Sequence, residues 1–188
     1  MDQSEKTDSK IFYSLMIVQI AVLALGITLG LCFGTGWAGK LGDPLRWAAG
    51  AACGGITAQL STWLTLYGLR KNYEPAVLYV RFAKDVSGGM NLSRCAAASL
   101  ASGLCEEILF RGVLLPITGL WISSLLFGAV HWSGRKMWPW PALTCLIGFG
   151  LGFYSLKSGD LSGCTGFHMA NNLTAFLIIK KLMQKGTI

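Results

Sequence analysis

The sequence predicts an all-α fold, a polytopic transmembrane bundle of about six spans with both termini in the cytoplasm. Three observations predict it. The 188-residue chain is 53% hydrophobic and only 13% charged, against about 25% charged residues in an ordinary soluble domain. Its apolar residues gather into stretches close to the ~20 residues that cross a bilayer at 1.5 Å rise each. Lysine and arginine alternate in density between successive loops, as the positive-inside rule requires.

The spans follow in order. Met1–Lys10 is a short polar tail of mixed charge. The apolar run over residues 11–33 is too long for a signal-peptide core and lacks a small-residue cleavage site, so it reads as a retained first span. The second covers 47–69. Residues 73–86 mix apolar side chains with Arg81, Lys84 and Asp85 and suggest a helix lying in the interface. Spans over 92–116, 120–132, 140–156 and 161–179 complete the set, the fourth being short. Tryptophans 37, 47, 121, 132 and 140 mark their ends, where the indole prefers the membrane–water interface. Twelve of the sixteen Lys and Arg then fall on the side of the N-terminus, three on the opposite side, and Arg111 lies inside a span. The chain divides at 91/92: residues 1–91 hold the tail, two spans and a loop, and 92–188 the remaining bundle, all in one integrated domain.

Several features have a packing explanation. GxxxG spacings at Gly26/Gly30, Gly50/Gly54 and Gly148/Gly152 suit close helix contact within the bundle. Six cysteines, none in a CxxC pair, read as reduced, buried and apolar. Gln59 in the second span predicts an interhelical hydrogen bond. The net charge of +7 reflects topology and anionic headgroups, because the basic residues form no continuous stripe for nucleic acid.

Charge inside a span costs about 2.5–3.5 kcal/mol even on the lenient insertion scale, so such residues usually face the bundle interior and serve function. Glu106, Glu107 and Arg111 fall there, with both histidines of the chain, His131 and His168, and Asn172. Glu107 and Arg111 stand four apart and share a helix face. Glu106 is rotated by about 100° from Glu107 and points elsewhere. His168 and Asn172 again share one face. Counted from the outer span ends, Glu106, His131, His168 and Asn172 lie about 10–18 Å deep and could meet near mid-membrane.

The pattern Glu106-Glu107-x-x-x-Arg111, followed by Phe127-x-x-x-His131 and His168-x-x-x-Asn172, resembles the EExxxR, FxxxH and HxxxN motifs of the CPBP intramembrane proteases. That family includes type II CAAX prenyl endopeptidases and bacterial abortive-infection proteins. The resemblance covers roughly the C-terminal half. It implies hydrolysis of a peptide bond by water, with Glu106 as general base aided by His131, and with His168 and Asn172 stabilising the oxyanion. Glu107 and Arg111 would hold the helix so that Glu106 faces the water. A carboxylate withdrawn from water binds a proton more tightly, which suits a base near neutral pH, and imidazole or amide donors suit a developing oxyanion. No cofactor is expected. Were a divalent metal such as zinc required, Glu106, His131 and His168 would be its ligands, although the HExxH pattern is absent and asparagine is a poor zinc ligand.

The expected partners are a peptide or membrane-protein substrate and the lipid bilayer, and the expected location is a bacterial plasma membrane. The short fourth span, followed by Arg135 and Lys136, predicts a cytoplasmic gap for water and substrate, with these two cations near headgroups or a substrate carboxylate. A proton or ion transporter would also bury Glu and His, but it more often shows broken helices or inverted repeats, which are not evident in this sequence. A noncatalytic membrane scaffold is the third class.

Overall fold

The computed structural model describes residues 3–37 and 40–188, with side chains from Ser9 onward. Its elements are helices α1 (Gln3–Phe33), α2 (Pro44–Arg70), α3 (Glu74–Ser87) and α4 (Leu92–Glu107), a π-helical segment Ile108–Leu114, α5 (Leu115–Val130), a 3-10 turn Arg135–Met137, α6 (Pro139–Ser158) and α7 (Ser162–Gln184). No strand occurs among the described residues. Two stretches, Ser9–Phe33 and Leu92–Val130, are long and apolar enough to cross a bilayer.

The expected polar tail is instead helical from Gln3, because Gln, Glu and Lys continue a helix at little cost. Met1, Asp2 and the side chains of residues 3–8, among them Lys6 of the charge asymmetry, lie outside the described residues. Helix α2 begins three residues before Trp47. Asp43 caps it by accepting from the backbone N–H groups of Leu45 and Arg46, and Pro44 stands where no N–H donor is needed. Helix α3 covers the segment expected to lie in the interface and is two-faced: Ala76, Val80 and Ser87 are buried while Arg81 and Asp85 are exposed.

Residues 92–130 run on without a loop, through the π-helical segment. Their direction changes at Gly119, whose φ of 80° and ψ of 173° leave the helical region. Only glycine adopts that conformation without strain, so the continuous helical stretch breaks there, between the expected third and fourth spans. Helix α5 stops at His131, which closes it with φ −90°.

Small residues set the helix contacts. A Cβ on Gly50 or Gly54 would strike the carbonyls of Gly163 and Phe167, so α2 and α7 meet backbone to backbone. Gly26 and Gly30 face Leu109 and Val113, which seats α1 on the π-helical segment. Arg94 fixes the other end of α1, donating to Ser9 Oγ at 3.1 Å and stacking over Phe12. All three GxxxG spacings thus serve contacts inside the chain. Two other expectations fail: Cys32 and Cys53 are exposed, and Gln59 points outward from α2. Cys32 and Gln59 stand about 120° or more around their helices from the packing glycines, while Cys53 flanks the edge of the Gly50 face. Large apolar side chains cover the outside, including Leu31 at 80% and Leu146 at 70% exposure, as lipid-facing surfaces require.

Candidate active site

The π-helical segment follows Glu106 and Glu107 directly and contains Arg111. Such wide turns are rare and often lie at functional sites. The local geometry therefore differs from the regular α-helix assumed from spacing, yet Glu107 and Arg111 still touch. Arg111 Nη1 donates to Glu107 Oε1 at 2.9 Å, and both side chains are almost fully buried, 1% and 0% exposed. Arg111 Nη2 donates to the Gly148 carbonyl at 3.1 Å. Its guanidinium lies 4.2 Å from the centre of the Phe127 ring, a cation–π contact strengthened by desolvation. Gly148 is needed for this arrangement: an added Cβ would sit 2.9 Å from Phe127 and 3.3 Å from Arg111 Nη2.

Glu107 does more than neutralise Arg111. Its Oε1 also accepts from His168 Nδ1 at 2.9 Å. His131 Nδ1 lies 2.7 Å from the Phe127 carbonyl. A carbonyl only accepts, so His131 Nδ1 carries a proton, and an ionised Glu107 requires the same of His168 Nδ1. In the neutral ring each Nε2 then presents a lone pair.

Both Nε2 atoms face Glu106. Its Oε2 lies 3.8 Å from His131 Nε2 and 3.7 Å from His168 Nε2. That oxygen is buried without a hydrogen-bond partner among the described residues. Three basic atoms approaching this closely repel unless a proton or cation is shared among them. The arrangement is chemically suited to moving a proton. Asn172 borders the same cavity, and its Nδ2 donates to Ser102 Oγ at 2.8 Å, leaving the second amide hydrogen for another acceptor.

Two contributors were not singled out from the sequence. Gln19 of α1 donates from Nε2 to Glu106 Oε1 at 2.9 Å. Its only signal is an amide midway along an apolar span. Phe127 packs edge-on to Phe110 and His168, tilts against His131 and lies under Arg111, so one ring locates three site residues. The FxxxH spacing contains it, but nothing in the spacing states this role.

A cavity of about 280 Å³ opens on Glu106, His131, His168 and Asn172. Tyr79, Phe82 and Val86 of α3 form one wall, so this helix covers the site. Lys136, expected near headgroups or a substrate carboxylate, pairs with Glu74 at 2.6 Å, joining the 3-10 turn to the start of α3. Glu74 raises the Lys136 pKa by hydrogen bond and charge.

Residues 89–174 match the family described as type II CAAX prenyl endopeptidase, Rce1-like. Over 63 residues the chain is 38% identical to the uncharacterized protein YpbD of Bacillus subtilis (strain 168), a stretch covering 34% of this chain and 33% of that protein. The chain thus matches about a third of that relative's length. No solved structure matches.

Proposed function

We propose, on the premise that residues 89–174 belong to the Rce1-like type II CAAX prenyl endopeptidase family, that the chain is an intramembrane endopeptidase. It would hydrolyse a peptide bond in a peptide or membrane-associated protein. The observation that carries this reading is Glu106 Oε2 facing two imidazole Nε2 atoms at 3.7 and 3.8 Å while both Nδ1 atoms are otherwise engaged.

Glu106 Oε2 takes a proton from the attacking water, and His131 Nε2 accepts the other hydrogen and orients it. The proton then passes to the leaving amine as the tetrahedral intermediate collapses. Asn172 offers its second amide hydrogen to the oxyanion. His168 serves as a second donor only with protons on both ring nitrogens. Glu107 and Arg111 hold the His168 ring and the Glu106 helix in place.

Glu106, His131 and His168 are acceptable ligand types for zinc, which would activate a water or polarise a carbonyl. Among the described residues, however, no three His, Cys, Asp or Glu side chains are disposed to hold a metal ion. The proposed reaction uses none.

In the membrane the chain would cross six times, through α1, α2, residues 92–118, residues 120–130, α6 and α7, with α3 in the cytoplasmic interface. The charge asymmetry and the exposed apolar surface support this topology, with both termini cytoplasmic in a bacterial plasma membrane. The substrate would be a peptide or protein terminus reaching the cavity from the cytoplasmic face.

The test compares N-terminal peptides from membranes carrying the wild-type chain or Glu106→Ala. New termini confined to wild type are expected. Identical termini with a normally folded variant would favour the scaffold, and altered proton flux without cleavage a transporter.

A further inference from the structure

We propose that Gln19 is a positioning residue for Glu106, an assignment that rests on the proposed peptidase reading. Its amide reaches across from α1 and occupies Glu106 Oε1, leaving Oε2 as the oxygen directed at the histidines. Nε2 donates to Oε1 at 2.9 Å. Gln19 is 9% exposed, and its Oε1 has no partner among the described residues. The amide therefore spends its hydrogen bonding on the catalytic carboxylate. Turned the other way, it would oppose two acceptor oxygens, so the donor orientation is the one that an ionised Glu106 imposes.

Helix α1 is seated to hold that amide still. Arg94 pins it at Ser9 and Phe12, and Gly26 lies against Leu109. Gln19 stands between these two anchors, opposite Glu106. Rotation about the last bond of a glutamate is soft, so an untethered carboxylate would present either oxygen over a range of angles. The tether selects one. Because α1 lies outside residues 89–174, the first helix becomes part of the catalytic apparatus and not only a membrane anchor.

The test uses Gln19→Leu and Gln19→Glu in the purified full chain. Its substrate is a quenched fluorescent peptide spanning the bond found by the N-terminal comparison. Expected is a fall in kcat of the folded enzyme of about 10- to 100-fold, the scale of a misplaced catalytic group, with KM little changed; the thermal midpoint also falls, because Glu106 Oε1 loses its donor. A merely structural role would lower the midpoint and the folded yield but leave kcat of the folded enzyme intact. A second readout is independent of turnover: the Glu106 carboxylate stretch, isolated as the infrared difference between wild type and Glu106→Gln, should shift in Gln19→Leu. An unmoved band overturns the inference, and so does unchanged kcat in both variants. If Glu106→Gln itself cleaves like wild type, the peptidase reading has failed and the inference falls with it, a result separable from an inactive Glu106→Gln with fully active Gln19 variants.

Discussion

Arg111→Met should be among the most destabilising single substitutions in this protein. The side chain fills similar space but removes every polar contact of the guanidinium: the 2.9 Å ion pair with Glu107, the 3.1 Å bond to the Gly148 carbonyl and the 4.2 Å stack on Phe127. Glu107 is 0% exposed and would remain as a buried carboxylate held only by His168. Breaking one side of a buried pair costs about 3–5 kcal/mol, whereas replacing both partners by packed neutral groups is often nearly neutral. For a chain of this size about 2–4 °C accompanies each kcal/mol, so the thermal midpoint should fall by roughly 6–20 °C. Unfolding followed by intrinsic fluorescence in detergent reads this directly, with seven tryptophans as reporters. The double variant Glu107→Gln/Arg111→Met should recover at least half of the loss, because no uncompensated charge remains. A midpoint lowered by less than about 3 °C in Arg111→Met, or a double variant no better than the single, would refute the argument that the burial of this pair makes its integrity critical.

Three further outcomes follow from the same geometry. Gly148→Ala should cost about 1–3 kcal/mol by crowding Phe127, read as a lower midpoint, and should slow cleavage by tilting the ring that carries His131 and His168. Cleavage of the peptide should survive 1,10-phenanthroline and dialysis against chelator, whereas loss restored by added zinc would move Glu106, His131 and His168 into the role of ligands. A cysteine at position 135 in an otherwise cysteine-free chain should be labelled from the cytoplasmic side, and labelling only from outside would invert the topology.

Much of the candidate site was legible because buried charge is rare enough to stand out. Glu106, Glu107, Arg111, His131, His168 and Asn172 are conspicuous against an apolar background, and helical spacing already separates Glu106 from the Glu107–Arg111 pair. The break near residue 119 was legible as well, since the apolar pattern lapses where glycine permits a non-helical turn. The π-helical segment was not legible, because its residues Ile108–Leu114 carry the same apolar character as an ordinary helix. Nor was the pairing of Lys136 with Glu74, whose partners stand 62 residues apart.

The sequence by itself determined the helical class, the apolar stretches and which side chains could carry chemistry. These depend on composition and on periodicity along one segment. Only the tertiary structure decided which atoms work together. Glu107 joins His168 as well as Arg111, Phe127 serves three residues, and Gln19 comes from a helix that the motifs never touch. The physical reason is that a hydrogen bond is set by distance and direction across helices, and neither is encoded in the spacing along one of them.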